Sequence, residues 1–364
     1  MSLFVGAPAP MFSARSHVNP GFNFRSVAGR YILLAFLPEP GPAREAALAA
    51  VREHIGGFAD EHKVFFGIVP DEASFASLQT NPPWRWFLDE DGDLRRLYDA
   101  CDETGALVPR WVILDPSMRI MGWARLERAS EVLSVFAGYG LPEDHAGVPL
   151  HAPVLIVPRL FEPELCRKLI KAYRDDGGAP SGVMRERNGQ TYRALDDFKK
   201  RADATITDPE LIQAIHTRLK LRLLPEIEKA FGWRATRVER YIVARYGAED
   251  GGYFRPHTDN RTPGTAHRKF ACSINLNAEE YDGGCLRFPE FGPRLYKPPT
   301  GGAVVFSCSL LHEATPVTRG ERFAYLPFFY DEEGVRIREA NLHTFAEPDD
   351  SSLQAPAKEE SLTQ

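Results

Sequence analysis

The rhythm of apolar and polar positions changes about 150 residues into the chain. Before that point short apolar runs alternate with helical stretches. "YILLAFLP" (31–38), "KVFFGIVP" (63–70) and "RWVILDP" (110–116) are β-rich and bounded by Pro, Gly or Asp, the pattern of strands. Between the first two, "AREAALAAVREHIGGFADEH" (43–62) has helical spacing and good helix formers. Strand, helix, strand predicts a parallel pair joined by a right-handed crossover. A stretch rich in Gly and Pro, "GYGLPEDHAGVPLHAP" (138–153), then breaks the pattern and reads as a linker.

The second half opens with helices. "FEPELCRKLIKAYRDDGG" (161–178) carries apolar residues at 165, 169 and 173 and ends in glycines. "DPELIQAIHTRLKLRLLPEIEKAF" (208–231) reads as a second helical region that Pro225 breaks or reopens. Between them, 181–206 is long, charged and turn-rich, either a lid over a substrate or an ordinary surface loop. From about residue 237 onward strands alternate with Gly-rich turns. The last stretch, 347–364, lacks aromatics and is expected to be disordered. The expected division is therefore a first domain over 1–137, a linker over 138–153, a second domain over 154–346 and a tail. There is no internal repeat.

Composition narrows the class. Hydrophobic content of 43% and charged content of 26% over 364 residues fit a soluble globular protein long enough for two domains. No apolar run is long enough to span a bilayer, and the first residues lack the basic and apolar regions of a secretory signal, so no membrane association is expected. A net charge of -6 without a long basic run argues against a nucleic-acid partner. The five cysteines, an odd number with no C-x-x-C pair, read as buried thiols in a reducing cytoplasm.

Candidate chemistry starts at "RPHTDN" (255–260). Ten histidines and 50 acidic residues make about one His-x-Asp/Glu triplet expected by chance, so His257-Thr258-Asp259 decides nothing alone. Its company does. In a strand, residues two apart share a face, so His257 and Asp259 can point inward together. Downstream, "GAVVF" is a buried-looking strand, and "LLHEATPV" then presents His312. Two imidazoles and one carboxylate suit non-haem Fe(II) with open positions for oxygen chemistry. Ten residues on, Arg322 lies in "ERFAYLPFFY", where alternation puts it on one face with Ala324 and Leu326. A buried guanidinium needs an anion, and its planar fork suits a carboxylate. The plainer alternatives are a surface turn for His257 and Asp259, a satisfied core histidine for His312 and a structural ion pair for Arg322.

At these residues the second half resembles the Fe(II)/2-oxoglutarate-dependent dioxygenases, in their prolyl 4-hydroxylase-like branch. The matching stretches are "RYGAEDGGYFRPHTDN" (245–260), "YDGGCLRFPEFG" (281–292), "PPTGGAVVFSCSLLHEATPV" (298–317) and "TRGERF" (318–323), and the likeness spans roughly 153–345. It implies a double-stranded β-helix, or jelly roll, with flanking helices. It implies Fe(II) on His257, Asp259 and His312, and 2-oxoglutarate with its far carboxylate on Arg322. Tyr246 matches a position where members place a tyrosine near the cosubstrate, and Tyr253, Asn275 and Thr318 are further candidates for that neighbourhood. The implied reaction uses O2, releases succinate and CO2, and hydroxylates a peptidyl proline, an amino acid or another small molecule. L-ascorbate is an expected reductant for idle iron. Halogenating relatives lack the carboxylate that Asp259 supplies, so hydroxylation is favoured.

The first half resembles a peroxiredoxin or another thioredoxin-fold protein. The likeness rests on "VGAPAPMF" (5–12), "GRYILLAFLPEPGPA" (29–43), "FLDEDGDLRRLYD" (87–99) and "VPRWVILDPSMRI" (108–120). It implies an α/β thioredoxin-like fold. The chain departs from it where peroxide reduction needs a thiolate just after the strand, because "AFLPEPGPAR" has no cysteine. Scaffolding, homodimerisation or substrate presentation remain as roles for this half.

Overall fold

The computed structural model describes residues 3–17, 19–54, 61–78, 84–187, 189–345 and 360–361. Backbone contacts divide the chain into two units. Met1–Ala152 with Pro289–Pro293 form the first, and Pro153–Phe288 with Arg294–Gln364 form the second.

In the first unit, β1 (Tyr31–Phe36) leads into helix α1 (Pro42–His54) and then β2 (Lys63–Val69). β1 and β2 are parallel, as strand-helix-strand requires. β3 (Trp84–Leu88) adds in parallel beyond β2. β4 (Arg110–Leu114) and β5 (Ile120–Arg125) form an antiparallel pair on the other side of β1. The order β3–β2–β1–β4–β5 is a thioredoxin-like sheet. Every residue of β1 and β2 is buried, which explains why both read as unbroken apolar runs instead of alternating ones. Helix α1 covers one face through Ala47, Leu48 and Val51, and α2 (Ala129–Gly138) does so through Val132, Leu133 and Phe136. Gly67 in β2 is dictated by packing, since a Cβ there would collide with the indole of Trp86.

The second unit begins with β6 (Leu155–Val157) and α3 (Pro163–Asp176). Helix α3 has proline in its first turn and ends at Gly177 with φ +89°. It buries Leu165, Cys166, Leu169 and Tyr173 along one stripe. The stretch read as a loop is largely strand: a hairpin of β7 (Val183–Arg187) and β8 (Gln190–Ala194), then β9 (Lys199–Lys200) and β10 (Ala202–Thr205). Gly189 at its turn has φ +76°, a hairpin signal that the density of charge obscured. Helices α4 (Pro209–Arg218) and α5 (Leu224–Phe231) follow, joined by a π-helical turn at Leu219–Leu223. Pro225 therefore opens α5, its missing N–H falling where a wider turn has already displaced the ordinary ladder.

The remaining strands are β11 (Arg237–Glu239), β12 (Ile242–Gly247), β13 (Tyr253–His257), β14 (Phe270–Asn275), β15 (Leu286–Arg287), β16 (Leu295–Tyr296), β17 (Ala303–Ser307), β18 (His312–Ala314), β19 (Val317–Arg319), β20 (Glu321–Tyr325) and β21 (Phe328–Tyr330). One sheet runs β11–β21–β14–β20–β12–β10, with β17 pairing to β14 and β6. A second runs β9–β13–β18–β15–β16. Two sheets joined by repeated crossings make the jelly roll. Its outer face packs on α3, α4 and α5 through residues such as Val243, Ile274, Phe323 and Tyr325. Its inner face carries Ala244, Tyr246, Tyr281, Ala314 and Val317.

Of the tail, Glu360–Ser361 pair with the edge strand β11, whose backbone groups are otherwise open on that side. The rest of 347–364 lies outside the described residues. All five cysteines are free. Among the described residues no helix is long and apolar enough to cross a membrane.

Candidate metal centre and cosubstrate pocket

His257 ends β13 and His312 begins β18, and the two are direct partners across the ladder. Their ring centroids are 4.2 Å apart. Asp259 follows two residues after His257, and its backbone N–H donates to the Cys308 carbonyl at 2.9 Å. This holds the carboxylate against both imidazoles: Nε2 of His257 is 3.5 Å from Asp259 Oδ1, and Nε2 of His312 is 3.3 Å from Asp259 Oδ2. The donor atoms of the three side chains lie within 4.8 Å of one another.

The ring nitrogens are assigned by their partners. His257 Nδ1 bonds the Arg255 carbonyl at 2.7 Å and His312 Nδ1 bonds the Leu310 carbonyl at 2.9 Å. A carbonyl only accepts, so Nδ1 carries the proton and Nε2 offers its lone pair towards the centre. Burial, then the neighbouring His312, pulls the His257 pKa down to about 4, so the ring is neutral at pH 7. Burial pushes Asp259 up, but His312 and His257 outweigh it and hold the carboxyl well below its ordinary range. Two imidazoles and one carboxylate, converging and nearly dry, are the donor set that a divalent iron takes. Aromatic rings wall the centre: Phe254 stacks on His257, and Phe306 and Phe288 face His312.

Arg322 stands on β20 directly opposite Tyr246 on β12. The arginine is 2% exposed. Its Nη2 donates to Ser273 Oγ at 2.9 Å, while Nε and Nη1 have no partner. Its guanidinium carbon sits 5.0 Å from the centre of the Tyr246 ring. The Tyr281 hydroxyl is buried near Arg322 without a well-formed hydrogen bond, and burial raises its pKa against the pull of Arg322. Gly284, at φ +58°, leaves the room that the arginine uses, since a Cβ would come within 3.0 Å of Arg322 Cδ. A buried cation with two idle donors is costly unless an anion completes it. The residues present thus fit both Fe(II) and a carboxylate-bearing cosubstrate.

The weaker sequence candidates fare differently. Asn275 lies two residues from Ser273 on β14, but its amide is committed to the Pro298 carbonyl at 2.6 Å. The Tyr253 hydroxyl donates to the Asp197 carbonyl at 2.6 Å and is not gathered around Arg322. Thr318 is exposed, because its neighbour Val317 takes the inward position of β19. Sequence reasoning missed Ser273, Tyr281 and Phe254. Ser273 had a usable signal, since it shares a strand face with Asn275. The open groove between α3 and α4, lined by Lys168, Asp175, Asp208 and Arg218 among others, contains none of these side chains.

A family model for the 2OG-Fe(II) oxygenase superfamily matches residues 241–330, a span that holds His257, Asp259, His312, Arg322 and Tyr246. A PKHD-type hydroxylase of Verminephrobacter eiseniae is 30% identical over 197 residues, which are 51% of this chain and 81% of that relative. A PKHD-type hydroxylase of Cupriavidus metallidurans is 38% identical over 107 residues, 27% of this chain and 46% of the relative, so the match spans under half of that protein. Among solved structures, a prolyl-4-hydroxylase of Pseudomonas putida is similar at 20% identity and TM-score 0.40, covering 52% of this chain and 96% of that one. A putative protein disulfide isomerase of Bacteroides thetaiotaomicron is similar at 19% identity and TM-score 0.34, covering 40% of this chain and 98% of its own.

Proposed function

The chain belongs to the 2OG-Fe(II) oxygenases through its second unit and is a 2-oxoglutarate-dependent dioxygenase, and from that premise we propose that His257, Asp259 and His312 hold its Fe(II), that Arg322 takes the far carboxylate of 2-oxoglutarate, and that the reaction hydroxylates a substrate C–H bond. The observation that carries this reading is the buried Arg322 with Nε and Nη1 idle, on the inner face of a jelly roll whose facing strands bring two Nε2 atoms and a carboxylate together.

Bound iron and cosubstrate supply the oxidising chemistry, in which O2 and 2-oxoglutarate give succinate, CO2 and one oxygen atom for the substrate. The chain's residues do the rest. The Arg255 and Leu310 carbonyls fix both imidazoles in the tautomer that binds metal. The guanidinium fork of Arg322 orients the diacid by charge-assisted hydrogen bonds, with Ser273 bracing it and Tyr246 lying against it. Phe254, Phe288 and Phe306 keep water from the metal side.

The substrate on this reading is a peptidyl proline, an amino acid or another small molecule. L-ascorbate acts as the rescuing reductant. Five free thiols support a cytoplasmic setting. The first unit is assigned scaffolding or self-association, since 37–44 offers no nucleophile. The test is succinate formation from 2-oxoglutarate with Fe(II) and oxygen. Wild-type protein should produce it, and His257→Ala and Arg322→Ala should fall to background. The same background in all three would point instead to a non-catalytic binding protein built on both folds.

A further inference from the structure

The inner face of the jelly roll carries a second set of buried cations that the reaction above does not use. Arg201 immediately precedes β10. Because Ala202 pairs with Arg245, Arg201 falls beside Tyr246, which in turn pairs with Arg322. Two guanidiniums therefore flank one tyrosine ring, their central carbons 5.9 Å and 5.0 Å from its centroid. Two strand spacings, about 10 Å, separate the backbones of the two arginines.

Lys199 extends this set towards the metal. It is 7% exposed, pairs across the ladder with Phe254, and holds its ammonium 4.9 Å from the ring that stacks on His257. Its nitrogen donates to Ser181 Oγ at 2.9 Å and to the Gly182 carbonyl. Asp203 is the one carboxylate in this group. It takes Arg201 Nη2 at 2.6 Å and has Arg240 at 3.9 Å. Arg201 and Arg240 thus share one carboxylate. The Arg201 side chain is 6% exposed, yet its Nε has no partner, and neither has Asp203 Oδ1. Burial, with Arg201 next in effect, holds the Lys199 ammonium well below its ordinary range, as expected where an anion is missing.

An idle donor and an idle acceptor, two residues apart on one strand face, define the ligand. We infer that Lys199 and Arg201 seat a carboxylate of the substrate, while Asp203 accepts from an N–H next to it, so that the substrate is a free amino acid and not an internal residue of a peptide. The inference rests on the oxygenase reading for its site but is carried by different residues. A carboxylate would lower the cost of the surplus positive charge, and an ammonium or imino group would satisfy Asp203 Oδ1.

The experiment uses the full chain with Fe(II) and saturating 2-oxoglutarate, without oxygen, so that Arg322 is already engaged. Thermal unfolding is followed while glycine, L-alanine or L-proline is added, each compared at matched ionic strength with its amide and its N-acetyl form. At least one free amino acid should protect with an apparent affinity about tenfold or more above both derivatives. Lys199→Met and Arg201→Gln should each erase that preference; if Arg201→Gln does not fold, Lys199→Met decides. Equal protection by acid and amide for every probe, an N-acetyl form as effective as its parent, or a preference that survives Lys199→Met would overturn the inference. Failure of the oxygenase reading shows separately, as absence of succinate from the oxygenated wild-type protein.

Discussion

The two units treat their buried polar groups differently. In the first, Arg44 donates to Ser74 Oγ at 3.0 Å, Lys63 donates to the Ala137 carbonyl at 2.7 Å, and Asp89 accepts from the Leu94 and Arg95 backbone and from the Arg95 side chain. Among the described residues of that unit, one buried side-chain atom, Asp71 Oδ2, is left without a partner. In the second unit Nε and Nη1 of Arg322, Nε of Arg201, Oδ1 of Asp203, Nδ1 of His267 and the Tyr281 hydroxyl are all idle. A fold that only has to stand satisfies its interior. A fold that has to hold a charged ligand keeps some of its interior open, and idle groups clustered on one face mark where.

The strongest way to break this comparison is at Arg322. Arg322→Met removes a buried charge that the protein alone does not complete, so the ligand-free variant should unfold no more easily than wild type and should gain about 1 kcal/mol or more. The same change should lower kcat/KM for 2-oxoglutarate about a hundredfold or more, the usual effect of truncating one partner of a buried charge pair. Denaturant unfolding without 2-oxoglutarate, alongside steady-state succinate formation, measures both. A variant that loses stability in the absence of cosubstrate would make Arg322 a structural cation and dissolve the contrast.

Glu239 sharpens it, because it is the satisfied counter-example within the second unit. Its carboxylate takes His267 at 2.7 Å and Arg268 at 2.5 Å. Burial pushes it up, but Arg268 and His267 outweigh burial and hold it well below the carboxylate range. A depressed folded value means the stabilisation is present above the unfolded pKa, about 4.3, and is lost as the pH falls through the folded one. Glu239→Gln should therefore cost about 3 kcal/mol near pH 7. The gap from wild type should hold down to about pH 5 and narrow in more acid solution. Unfolding midpoints across that range test it, and a gap that widens towards low pH would refute the assignment.

How far the sequence led follows the same division. The convergence of His257, Asp259 and His312 was legible because it depends on strand periodicity and on two separated segments, both visible in the order of residues. Arg322 was legible because it sits in an apolar strand, where a cation demands an explanation. Ser273, Tyr281, Lys199 and Arg201 were not, because nothing in their local spacing says that they are buried or on which side of a sheet they lie. Thr318 is exposed for that reason: in the three-residue strand β19 the phase of alternation is fixed by partners, and Val317 took the inner place. The hairpin at 183–194 was hidden by its charge, since both strands carry arginine or glutamate where a half-buried strand usually shows apolar residues. The π-helical turn before Pro225 joins α4 to α5 without a break, and periodicity alone does not encode it.

The smallest effect should be at Cys101, and it bears on the first unit. A thioredoxin-like sheet reduces peroxides only with a thiolate at the head of the helix after its first strand, where the helix terminus and nearby cations lower the thiol pKa. Here that position lies in Leu37-Pro38-Glu39-Pro40-Gly41, and α1 begins at Pro42. Cys101 is the unit's one thiol. It lies far from that point in the chain, half-buried, in an isolated bridge to Leu107. Cys101→Ser should therefore leave both succinate formation and the slow background consumption of hydrogen peroxide within error of wild type. Peroxide consumption by wild type that disappears in Cys101→Ser would show a working redox thiol in the first unit. The contrast would then lie between two active units, not between a satisfied scaffold and an open site.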